Sequence, residues 1–504
     1  MFKLTEKNRK WWVLAAMSCT ISMIFIDITV LPVALPTIQR LLNFSDLALQ
    51  WIINSYTLTL SILVLAGGRL SDIFGSKRVF FYGIVLFALA SAFCGLSNTA
   101  WGFILSRVFQ GIGGALLIPS TGLTIFSVFP LHERGKAMGI YISIGSLFLS
   151  FGPFVGGLLT QYFSWRYLFW INLPIAAIGT LLASYSVPKS EIKKERFDYF
   201  GFFTMSIGIS ALVIGIMQSR AWGWSSPLTL GLILGGIFFI LLLSFFDRDV
   251  QDPFIDFKLF KSRSFVGAIT CTFCTQFIVM LTVFWAIYFQ TGLAFTPLEA
   301  GTLALLANIP VIFAAPIGGY LLDRFGPRLP VTIGFVLIFS SLLWFLHVFD
   351  LKDRGMLLSA IIPFGCGIPM VFSASFTAAL HEVPQHKRGM ASGLASTVRQ
   401  FASTLGMAIL GALLLYYQDK KLVLALSQNA ETAHLNPSQF EGLLVQTPSA
   451  LQVLEQLPEP VQNYVRTSDL SAYITAFYNI NFVTLFVAAL GLLVAVTCVK
   501  KKLV

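Results

Sequence analysis

Charge is what this 504-residue sequence has least of: 11% of its residues are Asp, Glu, Lys or Arg, against 56% hydrophobic. A soluble domain carries about 25% charged residues, so an ordinary water-soluble fold is excluded. Histidines number five and cysteines six. Cys19, Cys94, Cys271, Cys274, Cys366 and Cys498 all lie within apolar runs, where no oxidising compartment reaches them, and the Cys271-x-x-Cys274 spacing reads as packing. His381-Glu382-Val383-Pro384-Gln385-His386 approximates a zinc-binding helix. Its two histidines are one residue too far apart for one helical face, and Pro384 interrupts the segment. No phosphate-binding GxxxxGK[ST] loop occurs, so ATP is not the energy source within this chain. No metal or cofactor is expected.

What the sequence has instead is fourteen apolar runs, each about the 20 residues needed to cross a bilayer. They fall at 12–34, 50–70, 78–97, 101–127, 137–160, 166–187, 198–218, 228–246, 265–289, 299–322, 330–349, 356–379, 390–416 and 474–498. The short alternating segments of a membrane β-barrel are missing. The expected fold is an all-α polytopic membrane protein. The first run is too long for a signal peptide and lacks a small-residue cleavage site, so it reads as a retained span. With a cytoplasmic amino terminus, and with the span-edge residues Arg69, Arg78 and Arg166 counted with their adjoining loops, inner segments hold 24 of the 34 Lys and Arg residues, outer loops 8 and spans 2. Retention of positive charge inside favours that orientation, with both termini cytoplasmic in the cell inner membrane. Clusters such as Lys193-Lys194-Glu195-Arg196 and Lys500-Lys501-Lys502 meet anionic headgroups, so the net charge of +11 requires no nucleic acid.

One short loop occurs twice. Gly68-Arg69-Leu70-Ser71-Asp72-Ile73-Phe74-Gly75-Ser76-Lys77-Arg78 follows the second run, and Gly319-Tyr320-Leu321-Leu322-Asp323-Arg324-Phe325-Gly326-Pro327-Arg328 follows the tenth. Gly, Asp, Gly and a basic residue recur 251 positions apart. Repeats of this kind mark a molecule of two similar halves, a plan used by secondary transporters. The division expected is a six-helix bundle over 1–187, a basic linker and two inserted helices over 188–264, and a second six-helix bundle over 265–504. A long outer segment, 418–473, carries four prolines and short amphipathic pieces.

These loops resemble the signature of the major facilitator superfamily. Leu105-Ser106-Arg107-Val108-Phe109-Gln110-Gly111-Ile112-Gly113-Gly114 is similar to that superfamily's second motif. Gly152-Pro153-Phe154-Val155-Gly156-Gly157 resembles its antiporter motif. With Trp165-Arg166 to Asn172-Leu173-Pro174 and Ile26-Asp27 to Ala34-Leu35-Pro36, the chain is similar to the fourteen-span drug:proton antiporters. The resemblance implies the major facilitator fold, two six-helix bundles plus two extra helices, and proton-driven efflux. Three departures stand out. Ile73 and Ser76 occupy positions that are usually Arg, which thins the first loop's charge network. Phe148 stands where the antiporter motif usually begins with Gly. Span 13 carries Arg399 where some relatives carry an acid, which counts against a dicationic cargo.

Asp27 and Arg107 are ionisable residues inside spans, each costing at least about 2.5–3.5 kcal/mol at a bilayer centre unless paired or solvated. At 1.5 Å rise per residue they lie roughly 13 and 9 Å below the outer surface, at comparable depth. They are the candidates for proton coupling, with a static ion pair as the alternative. Arg399, roughly 14 Å from the cytoplasmic side, either faces a central cavity and attracts anionic cargo or bonds to a neighbour's backbone carbonyls. Gln110, Asn308 and Gln400 line a cavity or bridge helices. Glu299 is a substrate ligand or a helix-start carboxylate favoured by the dipole.

Gly68, Asp72, Gly75, Lys77 and Arg78, with Gly319, Asp323, Gly326 and Arg328, form a conformational gate or two simple tight turns. For the gate, Asp72 is expected against the amino terminus of span 13. Gly152, Pro153, Gly156 and Gly157 make a hinge or seal between halves, or close packing of span 5. The expected activity is proton-coupled export of an amphipathic small molecule by alternating access, through a monomer with lipid, protons and substrate as its partners. An uncoupled facilitator or importer is the first alternative. A non-transporting membrane sensor is the second.

Overall fold

A long apolar run in hydrocarbon must satisfy its backbone internally, which leaves the helix as its stable state. The computed structural model describes residues 6–189, 197–246, 253–351, 353–428, 432 and 448–501. The first half comprises α1 (Glu6–Leu42), α2 (Asp46–Phe74), α3 (Ser76–Leu96), α4 (Ala100–Val128), α5 (Arg134–Tyr162), α6 (Tyr167–Trp170) and α7 (Asn172–Ser186). Two inserted helices follow, α8 (Tyr199–Trp222) and α9 (Pro227–Phe246). The second half begins with α10 (Arg263–Val279), α11 (Leu281–Thr291), α12 (Pro297–Asn308), α13 (Val311–Phe325) and α14 (Arg328–Val348). It ends with α15 (Arg354–His381), α16 (Arg388–Ser427), α17 (Pro448–Glu455) and α18 (Glu459–Cys498). Among the described residues there is no strand.

Among the described residues, thirteen stretches are long and apolar enough to cross a bilayer, counting α6–α7 and α10–α11 as one each. The predicted tenth span differs. It breaks at Ile309-Pro310 into α12 and α13, of 12 and 15 residues, because Pro310 donates no backbone hydrogen bond. Large side chains such as Tyr82, Trp101, Phe154 and Phe486 point outward, as a lipid-facing surface requires. The basic cluster at Lys193 lies outside the described residues.

Within the first half α4 packs on α2 and α3, and α1 packs on α5 and α7. Within the second, α14 packs on α15, and α18 on α16 and α10. The halves meet along two seams, α5 against α13 and α2 against α16. The insert is asymmetric: α8 packs against both α2 and α16, covering one seam. Chain ends and repeated loops share one end of the molecule. Arg9 Nε donates to Ser186 O at 2.7 Å, and Arg328 Nε to Val499 O at 2.7 Å.

The outer segment is more helical than its prolines implied. α16 runs 40 residues, about 60 Å, twice the hydrocarbon thickness of about 30 Å. α18 begins at Glu459, well before the predicted span. Leu422 and Leu426 of α16 bury against Leu454 of α17 and Val461 and Val465 of α18. This apolar seam carries the hairpin out of the membrane. Residues 429–431 and 433–447 of this segment lie outside those described.

The span-5 motif sits elsewhere than at a seal between halves. A β-carbon at Gly152 would lie 1.7 Å from Thr29 Oγ1, and one at Gly156 2.9 Å from Val30 O, both on α1 of the same half. α5 continues as helix through Pro153. At Gly157 the nearest atom to such a carbon is Val33 Cγ1 at 4.0 Å. Gly152→Ala should therefore lower the melting temperature of detergent-solubilised protein, by an overpacking cost of about 1–3 kcal/mol. Gly157→Ala should leave it unchanged or raise it. Equal tolerance at the two positions would contradict the α1–α5 contact.

Candidate functional site

The two repeated loops make the same structure twice. Gly75 and Gly326 both adopt φ of 85°, a conformation open to Gly at no steric cost. That turn leaves the preceding aspartate at the end of its helix, aimed across the seam. Asp72 accepts from the backbone N–H of Gly389 and Met390, both at 2.7 Å, at the amino terminus of α16. Asp323 accepts from Gly135 and Lys136, at 2.8 and 2.9 Å, at the amino terminus of α5. Each carboxylate satisfies two otherwise unpaired helix donors and sits in the positive end of the helix dipole. The first lock, thinned in charge by Ile73 and Ser76, is as fully bonded as the second.

The glycines allow this approach. A β-carbon at Gly68 would lie 2.2 Å from Gly389 O, and one at Gly319 2.1 Å from Gly135 O. The basic residues act within their own halves. Lys77 Nζ donates to Val187 O at 2.5 Å beside the end of α7, and Arg328 caps the end of α18. Each loop thus ties its own last helix and the opposite half together. Arg78 is exposed beside them. The partner sequence is a second internal repeat that the reading by motif passed over. Arg134-Gly135-x-Ala137-x-Gly139 and Arg388-Gly389-x-Ala391-x-Gly393 match in spacing and lie 254 positions apart. A search for self-similarity would have found it.

Away from these locks the halves part around a cavity of about 560 Å³. Phe25 and Tyr141 of the first half and Trp285, Phe289, Phe364 and Phe372 of the second are among its walls. Arg399, Gln400 and Asn308 line it. Arg399 is its single charged residue among those described.

Asp27 and Arg107 are brought together, but not in that cavity. Arg107 donates to Asp27 Oδ2 at 2.6 Å, and both side chains are almost fully buried. Gln110 Nε2 donates to Asp27 Oδ1 at 2.8 Å while its Oε1 accepts from Arg107 at 2.8 Å. Asn172 adds a donor to Asp27 Oδ1 at 3.2 Å. Ser91 receives both amides, from Gln110 at 3.3 Å and Asn172 at 2.9 Å. Arg107 Nε reaches Ile52 O at 3.2 Å, and its guanidinium lies 4.2 Å from the Tyr56 ring centroid. Of the two readings open for Gln110, cavity wall or helix bridge, the structure shows the bridge: it is absent from the cavity lining and belongs to the ion-pair cluster, where a buried carboxylate takes its amide. Glu299 also lies off the cavity. It closes a capping box with Thr296 at the start of α12 and pairs with Arg354. In the sequence Asn172 is marked only as part of the Trp165–Pro174 motif and not as a site residue, and Ser91 is not singled out, since a lone hydroxyl carries no spacing signal.

The profile of the Major Facilitator Superfamily matches residues 17–201 and 193–407. The chain belongs to the major facilitator superfamily. It is 30% identical over 396 residues to the multidrug resistance protein Stp of Mycobacterium tuberculosis (strain CDC 1551 / Oshkosh), covering 78% of this chain and 73% of that protein. It is 29% identical over 413 residues to the tetracenomycin C resistance and export protein of Streptomyces glaucescens, covering 81% and 76%. Among solved structures, the proton:xylose symporter XylE matches with a TM-score of 0.58 at 16% identity, covering 90% of this chain and 97% of that one. The human organic anion transporter MFSD10 matches at 0.57 and 13%, covering 96% and 100%. At such identities the structures speak for the fold alone. The facilitator fold accounts for the paired halves, and its members are transporters rather than enzymes.

A carboxylate on a helix amino terminus is worth up to about 2 kcal/mol when partly buried. Asp72→Ala should therefore shift the closed-to-open ratio of the loop end by about 5–30-fold. Spin labels at Arg78 and His386, both exposed, should report a longer distance population in the variant than in the parent. An unchanged distance distribution would remove Asp72 from the gate.

Proposed function

We propose that this facilitator is a proton-coupled exporter of amphipathic small molecules, working by alternating access across the cytoplasmic membrane. The observation that carries the transport reading is the pair of carboxylate–helix locks closing one end of a central cavity. With the loops on the cytoplasmic side, as the bias of 24 inner against 8 outer basic residues favours, both termini are cytoplasmic. The conformation described is then the outward-facing one. Export requires the locks to break and reform in each cycle. Two of them at up to about 2 kcal/mol each are commensurate with one or two protons at about 2.3 kcal/mol per 100 mV. A much stronger lock would stall the cycle.

Proton coupling is assigned to Asp27 with Arg107 as its charge partner. In this conformation the Asp27 carboxylate is held by the Arg107 guanidinium and by the amides of Gln110 and Asn172. Movement of Asp27 against Arg107 during the swing of the bundle is the step assigned to loading and releasing the proton. Relatives named for multidrug resistance and tetracenomycin export support efflux of a drug-like cargo. The protein acts as a monomer, with substrate, protons and lipid as its partners.

The dense hydrogen bonding of the Asp27–Arg107 pair, shut off from the cavity, favours a second reading in which the pair is a static brace and transport is uncoupled. Asp27→Asn separates the two, because the amide keeps the shape and avoids leaving a buried anion's partner wholly without an acceptor. In inside-out vesicles with an acidified lumen, the parent should accumulate substrate and the variant should lose that proton-driven accumulation. Equal accumulation by both would establish the brace.

A further inference from the structure

The two intramembrane arginines are treated oppositely by the fold. Arg107 is neutralised by Asp27 and bonded on several sides. Arg399 makes no hydrogen bond and no ion pair with any described residue. Its guanidinium is flanked by two aromatic rings, with Cζ 5.7 Å from the Phe25 centroid on α1 and 5.8 Å from that of Phe372 on α15. A guanidinium keeps its charge in proteins and offers five donors in a planar fork. Five donors facing a cavity whose walls hold no carboxylate are an unfilled site. Gln400, next in sequence and also on the wall, likewise bonds to no described residue through its side chain.

A structural arginine looks different. It would spend its donors on backbone carbonyls of a neighbouring helix, as Arg107 does at Ile52 and Arg328 does at Val499. The two rings lie near the outer limit for a cation over an aromatic face, about 6 Å, and none of the Arg399 N–H donors is taken by a described residue. An aromatic-lined chamber of about 560 Å³ with one uncompensated cation accepts a lipophilic body and a single negative charge. It rejects a second cation by repulsion in a low-dielectric space.

We infer that the cargo of this transporter is a lipophilic monoanion, an aryl or alkyl carboxylate or sulfonate, whose acidic group docks on Arg399 with Gln400 beside it. The inference rests on the transport reading above and names its substrate class. Lipophilic cations and neutral amphiphiles are excluded as preferred cargo.

Binding to the purified full-length protein tests this without requiring transport. Three probes share one body: 4-(1-pyrenyl)butyrate, its neutral amide and the cationic 4-(1-pyrenyl)butylamine, each measured against empty detergent micelles. The carboxylate should bind at least about tenfold more tightly than either companion. Arg399→Gln should abolish that preference while leaving amide binding unchanged, and Arg399→Lys should restore part of it. Amide or amine binding as tight as the carboxylate overturns the proposal. So does a preference that persists in Arg399→Gln, or the lack of carboxylate binding up to about 1 mM. Should Arg399→Gln fail to fold, the order of the three probes on the parent protein decides alone. Flux in inside-out vesicles tells the two readings apart. Carboxylate preference without proton-driven flux sinks the coupled exporter and keeps the anion site. Proton-driven flux of the amine with none of the carboxylate does the reverse.

Discussion

The interaction on which the structure turns is a carboxylate resting on the amino terminus of a helix from the other half. Asp72 and Asp323 each take two backbone donors across the seam. The glycines at 68, 135, 319 and 389 exist in service of this contact, because a β-carbon at any of them would occupy the opposing backbone. The closed end follows from it, and so does the cavity beyond, since two bundles pinned at one end can part at the other. The lock is weak enough to release, being worth a few times thermal energy rather than a fold's whole stability.

The buried polar cluster of the first half answers a different constraint. Two charges taken out of water at mid-membrane cost far more than an exposed pair gains, and only complete hydrogen bonding makes them tolerable. Asp27, Arg107, Gln110, Asn172 and Ser91 bring those bonds to the two charges from α1, α3, α4 and α7, with Asn172 Oδ1 left without a partner among the described residues. The second half has no such cluster among its described residues. Among its buried polar contacts, Trp285 Nε1 donates to Asn481 Oδ1 at 2.9 Å, and the buried carboxylate of Asp469 accepts from the neutral amide of Gln418 at 2.7 Å. Chemistry has therefore been divided, with an ion pair sealed in one half and an unpaired cation exposed to the cavity from the other.

Particular residues show what could be read in advance. The helical spans, the two halves and the repeated loops were legible because each depends on local pattern: apolar length, inside-positive charge and a fixed Gly-Asp-Gly spacing. The Asp72 contact with span 13 was legible for the same reason, once depth and orientation were known. Gln110 had both readings open because sequence spacing does not say which face of a helix meets a neighbour and which meets a cavity. Glu299 had both readings open, and its capping partner Thr296, three residues upstream, was the local signal that decides it. Gly152 and Gly156 announced close packing but not the partner helix.

The sequence by itself determined the solvent, the fold class, the duplication and the chemistry of the two loops, since each is a property of a segment of one or two helices. Only the tertiary structure decided that the basic residues of those loops cap their own halves while the aspartates reach across. It also decided that Asp27 and Arg107 are shut off from the cavity and that Arg399 stands in it, between Phe25 and Phe372, with no hydrogen-bond or ion-pair partner among the described residues. The reason is physical. In a bilayer nearly every helix face is apolar, so periodicity no longer marks inside from outside. Which polar group meets which then depends on rotation and crossing of helices hundreds of residues apart.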